Sequence, residues 1–366
     1  MFRSTSNPKV SIVIATYNSE KYLKYLFESL LSQEGVPHKD VEIIFVDGNS
    51  SDSTVELLYD FMHKYKEMFY DIKVIVHDAN YGVSRARNDG IKISKGEYVL
   101  ILDSDVMLPP NGLYTLLNFM EKSSDPFLAG VKALHILPES IIGKLTLDRI
   151  INCKHIGRVT EHYGIADATL LKRKIFNEVG FYREDMGPPF SSLEDWELGM
   201  RIKRKGYKVV MLGDLIAIHK PKTSNEASPA SSLWHSIKSR LKEYFSQKKA
   251  IELAKVIKAA PTIDKLKICA MTLLINIALF IFAYGVFLSN STLILTGILL
   301  FLIPYFLYVT YFLVYFKECR IAHRLISSIL IVTSRILRYL VLESLCVYKS
   351  FEKLIKTARS HDARVN

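Results

Sequence analysis

Four short runs constrain the fold of this chain more than any other feature. VSIVIAT (10–16), VEIIFVD (41–47), KVIVHD (73–78) and YVLILDSD (98–105) are mostly apolar, and each stops on polar residues. Segments with a helical period separate them. SEKYLKYLFESLLSQ sets Tyr22, Leu23, Leu26, Phe27 and Leu30 on one face. TVELLYDFMHKY follows Ser51-Asp52-Ser53, which suits a helix cap, and GVSRARNDGIKIS reads as a further helix. Strands apolar on both faces that alternate with helices predict an α/β fold, with a doubly wound and mainly parallel sheet.

Ligands of such sheets bind beyond the carboxyl ends of the strands, where the strand order reverses. Polar residues collect there. Thr16, Tyr17 and Asn18 follow the first run, Asp47 ends the second and Asp78 the third. Asp103 and Asp105 end the fourth, one residue apart. Alternate residues at a strand end aim two carboxylates towards one mouth, and hard oxygens suit Mg²⁺ or Mn²⁺ bridging a diphosphate. The competing reading of a single Asp-x-Asp is a polar strand terminus. Convergence of all these strand ends favours the metal.

These motifs carry a resemblance. VSIVIATYNSEKYL, VDGNSSDST and NYGVSRARNDGIKISKGEYVLILDSDV resemble, in order, the family 2 glycosyltransferases of GT-A fold, over roughly residues 9–220. The resemblance implies a Rossmann-like, metal-dependent enzyme that takes a nucleotide-sugar donor, a UDP- or GDP-sugar, and inverts the anomeric centre. It implies that Thr16, Tyr17 and Asn18 border the nucleotide, that Asp47 binds the base, and that Asp78 belongs to the donor side. It implies that Asp103 faces ribose or metal and that Asp105 holds the metal. Arg87 and Asn88 either reach phosphate or base, or pack and cap. SSLEDWELGMRIKRKGYKVVM resembles the family's acidic segment, whose second acid is the base, which points to Glu194 and Asp195 as the catalytic pair. A helix start favours acids in any case. Asp167 is expected on the acceptor side of the floor. His219, in LIAIHKP, is a candidate third metal ligand or a structural histidine. Two positions depart from the family pattern, Ala15 where Pro is usual and Gly48 where a second Asp is usual. The Q-x-x-R-W motif of processive polysaccharide synthases is absent.

The rest of the chain reads differently. Mean hydropathy is positive although the formal net charge is +11. Residues 268–288 and 292–316 carry no charge, and each is long enough to cross a bilayer, which takes roughly 20 residues. Lys- and Arg-rich segments flank the pair on both outer sides, which predicts a transmembrane hairpin with both ends in the cytoplasm. The stretch 325–348, interrupted by Arg335, Arg338 and Glu343, reads as an amphipathic interfacial helix rather than a third span. The expected organisation is a cytoplasmic GT-A domain over 1–230, a basic amphipathic linker over 231–267, two spans over 268–316, and a membrane-associated helix with a basic tail over 317–366. The expected location is the cell membrane or an ER-type membrane, in contact with membrane lipids. Cys153, Cys269, Cys319 and Cys346 are scattered and support neither a zinc site nor a disulfide framework.

The expected reaction is sugar transfer to a hydroxyl of a lipid-linked glycan or glycolipid. The Glu194-Asp195 pair favours a hydroxyl, since a phosphate is already anionic and needs no base; a polyprenyl phosphate acceptor is the alternative, because the membrane hairpin suits both. LILDSDVM also resembles the nucleophile motif of haloacid-dehalogenase phosphatases, but three strand–helix units precede it and Met107 stands where Thr or Val is usual. No G-x-G-x-x-G follows the first strand, which removes a dinucleotide dehydrogenase. A non-enzymatic membrane protein on the same scaffold is a remote alternative, opposed by the intact acids. No nucleic-acid partner is expected.

Overall fold

The computed structural model describes residues 7–136, 159–186 and 193–219, with single positions between 255 and 296. β1 (Val10–Thr16), α1 (Glu20–Leu31), β2 (Val41–Asp47), α2 (Thr54–Tyr65), β3 (Asp71–Val76), α3 (Val83–Ile93) and β4 (Tyr98–Leu102) alternate as the sequence predicts. After them come β5 (Val106–Met107), α4 (Gly112–Lys122), β6 (Leu128–Ile136), β7 (Val159–Glu161) and β8 (Ala168–Lys172). The series ends with α5 (Ile175–Val179), α6 (Glu194–Arg204) and β9 (Lys208–His219). The chain divides into two compact units, Met1–Asn225 with Lys258–Pro261, and Glu226–Ile257 with Thr262–Asn366. All these elements belong to the first.

One sheet runs β3-β2-β1-β4-β8-β6-β9-β5, with β7 also paired to β9. β3, β2, β1 and β4 are parallel, as expected. The second half is mixed, which corrects the expectation of a mainly parallel sheet. β8 runs antiparallel to β4 and β6, and β5 and β7 run antiparallel to β9. A parallel neighbour needs a crossover that returns the chain to the same end of the sheet. The chain instead enters β8 at the end where β4 leaves, with Ala168 opposite Leu102. The start of β8 is thereby delivered to the carboxyl end of β4.

Alternation along the strands builds two cores. Ile12, Ile14, Ile43 and Phe45 pack with Leu23, Leu26, Leu58 and Leu116 of α1, α2 and α4 on one face. Val13, Ile44 and Val46 pack with Ala86, Phe176, Leu198 and Ile202 of α3, α5 and α6 on the other. The order reverses between β1 and β4, so the crevice expected of a doubly wound sheet opens past Thr16 and Leu102. Helix α6 closes that end from one side. It lies so close to the segment entering β8 that a Cβ on Gly199 would sit 1.7 Å from the Tyr163 carbonyl oxygen. Gly199→Ala therefore forces the backbone apart, and urea unfolding is expected to show a loss of at least about 2 kcal/mol.

The expected multi-pass membrane location does not hold for the structure described. Among the described residues, no helix is long and apolar enough to cross a membrane. The described helices are short, with one buried face over the sheet and one polar face. The runs 268–316 and the stretch 325–348 lie outside the described residues, apart from single positions.

Candidate active site

The loops after β1 and β2 form one wall of the crevice. Thr16 and Asp47 are register partners at the ends of their strands. Asp47 is buried, and its carboxylate accepts from Thr16 Oγ1 at 2.8 Å, Ser50 N at 2.7 Å and Ser50 Oγ at 2.6 Å. Asn18 adopts φ 48°, a left-handed conformation that Asn tolerates better than most residues. Its side-chain oxygen accepts from Ser51 N at 2.9 Å, which ties the two loops together. Tyr17 is exposed beside them. Asp78 stands apart, beyond the end of β3. It is exposed, accepts from the Tyr81 hydroxyl at 2.9 Å, and meets this wall only through its carbonyl, which accepts from Asn49 Nδ2.

Arg87 crosses the floor. It is 4% exposed, and its guanidinium donates to Asp103 Oδ1 at 2.8 Å and Glu194 Oε1 at 3.0 Å. The guanidinium also lies 5.3 Å from the centre of the buried Tyr182 ring. Burial opposes its charge, but Asp103, Tyr182 and Glu194 together hold its pKa above the ordinary arginine value. Burial pushes the Glu194 carboxyl up although Arg87 pulls it down, and among the described residues Glu194 Oε2 has no hydrogen-bond partner. Asn88 does not reach the crevice. It exchanges hydrogen bonds with the Tyr182 backbone and fixes that residue under Arg87.

The Asp-Ser-Asp stretch is a turn and not the end of a strand. β4 stops at Leu102 because its antiparallel partner starts at Ala168. Asp103 N donates instead to Asp167 O at 2.9 Å, and Val106 N returns to Asp103 O at 3.1 Å. Strand alternation thus does not set the directions of Asp103 and Asp105. Ser104 Oγ lies 3.0 Å from Ser19 Oγ, which anchors the turn to the first loop. Asp105 is half-buried, and its charge adds to burial in raising the Tyr22 phenol pKa. The backbone of His219 pairs with Val106, next to Asp105, while its side chain lies outside the described residues. Among the described residues, no three His, Cys, Asp or Glu side chains form a metal cage. Two carboxylates on one turn do fit the mode in which Mg²⁺ or Mn²⁺ takes one or two protein oxygens and completes its shell with substrate phosphate and water.

Asp195 sits in the first turn of α6, and its Oδ1 accepts from Trp196 N at 2.7 Å. A helix start favours a carboxylate. Burial outweighs this, and with neighbouring Glu194 it pushes the Asp195 carboxyl up to about 7, while Lys132 and Arg87 pull the other way. A Cβ on Gly164 would lie 3.1 Å from Asp195 Oδ2, so glycine leaves that oxygen room.

The structure thus joins Arg87, Asp103 and Glu194 directly and sets Asp195 beside them. It joins Thr16, Asn18 and Asp47 in the neighbouring wall and leaves Asp78 outside. Sequence reading missed Ser50, Tyr182 and Lys132. Lys132 alone left a signal, a cation inside the apolar strand LAGVKALHI.

Comparison with known proteins follows the same lines. The model of glycosyl transferase family 2 matches residues 11–180, and that of glycosyl transferase family group 2 matches residues 98–316. The chain is similar to the poly(ribitol-phosphate) beta-glucosyltransferase of Bacillus spizizenii, with 40% identity over 129 residues, 35% of this chain and 20% of that protein. It is 31% identical over 203 residues to the UDP-Glc:alpha-D-GlcNAc-diphosphoundecaprenol beta-1,3-glucosyltransferase WfaP of Escherichia coli, 54% of this chain and 72% of that one. The chain spans 20% of the Bacillus relative and 42% of the poly-beta-1,6-N-acetyl-D-glucosamine synthase of Staphylococcus epidermidis. The crystal structure of S. aureus TarS 1-349 with UDP aligns at a TM-score of 0.45 and 18% identity, over 69% of this chain and 70% of that one.

Proposed function

Because the chain belongs to the family 2 glycosyltransferases, we propose that it transfers a sugar, with inversion, from a UDP- or GDP-sugar to a hydroxyl of a lipid-linked glycan or glycolipid. We assign the chemistry to the domain over residues 1–230. The observation that carries the reading is Asp195, a buried carboxyl beside a second acid, with a pKa near 7. A general base works best when its pKa lies near the operating pH. In this reading Asp195 accepts the proton of the acceptor hydroxyl as its oxygen bonds to the anomeric carbon and the diphosphate leaves on the opposite side. Arg87 and Glu194 hold the Asp103 turn. Thr16, Tyr17, Asn18 and Asp47 border the nucleotide, and Asp103 and Asp105 hold Mg²⁺ or Mn²⁺. When bound there, the ion would supply positive charge against that of the leaving diphosphate. The name of the Escherichia coli relative describes transfer to a diphosphoundecaprenol-linked sugar, which supports a lipid-linked saccharide as acceptor.

The test offers purified protein a panel of UDP- and GDP-sugars with lipid-linked saccharides or a polyprenyl phosphate, and reads nucleoside diphosphate release with and without Mn²⁺. Release that needs a hydroxyl-bearing acceptor is expected. Transfer to the polyprenyl phosphate alone would overturn the acceptor assignment. In the same assay Asp105→Asn removes one ligand charge without changing shape. It is expected to reduce transfer at limiting Mn²⁺ to background while circular dichroism stays that of the wild type. Unchanged activity at limiting Mn²⁺ would refute the metal assignment.

A further inference from the structure

Lys132 lies in the middle of β6, 1% exposed, between Val131 and Ala133 of the core. A buried ammonium costs several kcal/mol unless it is well paired. Its Nζ donates to Asp167 Oδ2 at 2.7 Å and to Gly164 O at 3.1 Å. Those partners lie at the two ends of the short segment that enters β8, so one amine ties the segment across its length. The segment needs tying. Asp167 holds φ 60°, a left-handed conformation that costs a non-glycine residue about 1 kcal/mol.

Both halves of the candidate site rest on this segment. Asp167 O receives Asp103 N at 2.9 Å, and Ile165 N approaches Asp195 O at 3.4 Å. Ile165 O accepts from Tyr182, the ring beneath Arg87. Tyr163 lies under Gly199 of α6, and Gly164 faces Asp195 Oδ2. We infer that Lys132 is a positioning residue: by pinning Gly164 to Asp167 it fixes the spacing between the Asp103 turn and Asp195, and it sets a positive charge near Asp195. The inference rests on the reading of Asp195 as base. Among the described residues, the charged and titratable groups around Asp195 include Glu194 on its own helix, Arg87 from α3, Lys132 from β6, Tyr182, and His162, whose ring also borders the Gly164 Cβ position. Of the two cations, Arg87 also pairs with Glu194 and Asp103, whereas Lys132 pairs with the segment itself.

The test is Lys132→Met, which keeps the unbranched stem, one atom shorter, and removes the charge. A small displacement of reacting groups can cost about 10²-fold in rate, so kcat is expected to fall by about that factor while donor KM stays near wild type. With the cation gone, the Asp195 carboxylate loses a favourable neighbour. The acid limb of the kcat–pH profile should therefore move to higher pH. Lys132→Met also strands the Asp167 charge, so Lys132→Met with Asp167→Asn is measured beside it. That pair is expected to regain thermal stability yet keep the lower kcat and the displaced acid limb. Wild-type kcat and pH profile in the double variant would overturn the inference and leave Lys132 a purely structural residue. Asp195→Asn in the same assay separates the two claims. Its full activity would refute the base itself, whereas its loss alongside a normal double variant would refute only the role of Lys132.

Discussion

Asp195→Asn is expected to lower turnover by about 10²-fold or more, the range in which a general base contributes, while donor affinity remains within a few-fold of wild type. The amide keeps the shape of the carboxyl and cannot take a proton. Asp195 lies on α6, whereas Thr16, Asn18 and Asp47, proposed to border the nucleotide, lie at the ends of β1 and β2, so loss of the proposed base should leave that wall intact. Acid should do to the wild type what the substitution does at every pH. With the carboxyl pushed up to about 7, the active carboxylate form is lost as pH falls through that value. Stability runs the opposite way. A carboxyl raised in the folded state favours folding when protonated, and that contribution is lost as pH rises through about 7. Asp195→Asn should therefore be at least as stable as wild type at pH 8, with a higher melting temperature in a thermal scan. An inactive variant with a lower melting temperature at pH 8 would mean that Asp195 holds the fold and is no base. A polyprenyl phosphate used equally by both proteins would make the base unnecessary.

What the sequence disclosed depended on how local each determinant is. Val10–Thr16, Val41–Asp47 and Thr54–Tyr65 carry their pattern within a few residues, and the structure forms them where the pattern ends. β3 occupies 71–76 rather than 73–78, because Asp71 pairs opposite Glu42 and the ladder ends at Val76 opposite Asp47. β4 loses its expected last residues for the same reason, since β8 begins opposite Leu102. Strand ends follow partners, and partners lie far away in sequence. The antiparallel β8, the enclosure of Asp47 by Ser50, and the ties of Lys132 to Gly164 and Asp167 are long-range or loop-specific, and no local spacing encodes them. The acids themselves were legible because charged residues at the ends of apolar runs need a reason to be there. Their couplings were not, and the couplings set the chemistry.

Arg87→Met should cost about 3–5 kcal/mol in urea unfolding, the usual penalty for removing one partner of a buried charge pair. Methionine fills much of the space of the arginine stem, so lost packing is a minor part of the change. The side chains of Arg87 and Glu194 are each 5% exposed, which leaves little water to replace the guanidinium. Glu194, already pushed up by burial, should take a proton in the variant, since its chief countercharge is gone. Asp103, 26% exposed, loses its anchor, which frees the turn that carries Asp105. Donor KM should therefore rise along with the loss of stability, whereas Asp195→Asn should leave it nearly unchanged. Adding Glu194→Gln removes the stranded acid and should recover much of the stability without restoring donor KM, because Asp103 stays unheld. Arg87→Lys keeps the charge, but an ammonium lacks the planar fork that reaches two carboxylates at once, so its defect should be intermediate. A stability for Arg87→Met within about 1 kcal/mol of wild type would show that the bridge between Asp103 and Glu194 carries little energy. Full recovery of KM in Arg87→Met with Glu194→Gln would show that Arg87 serves only to neutralise Glu194, and that the turn holds itself through Asp167 and Ser19.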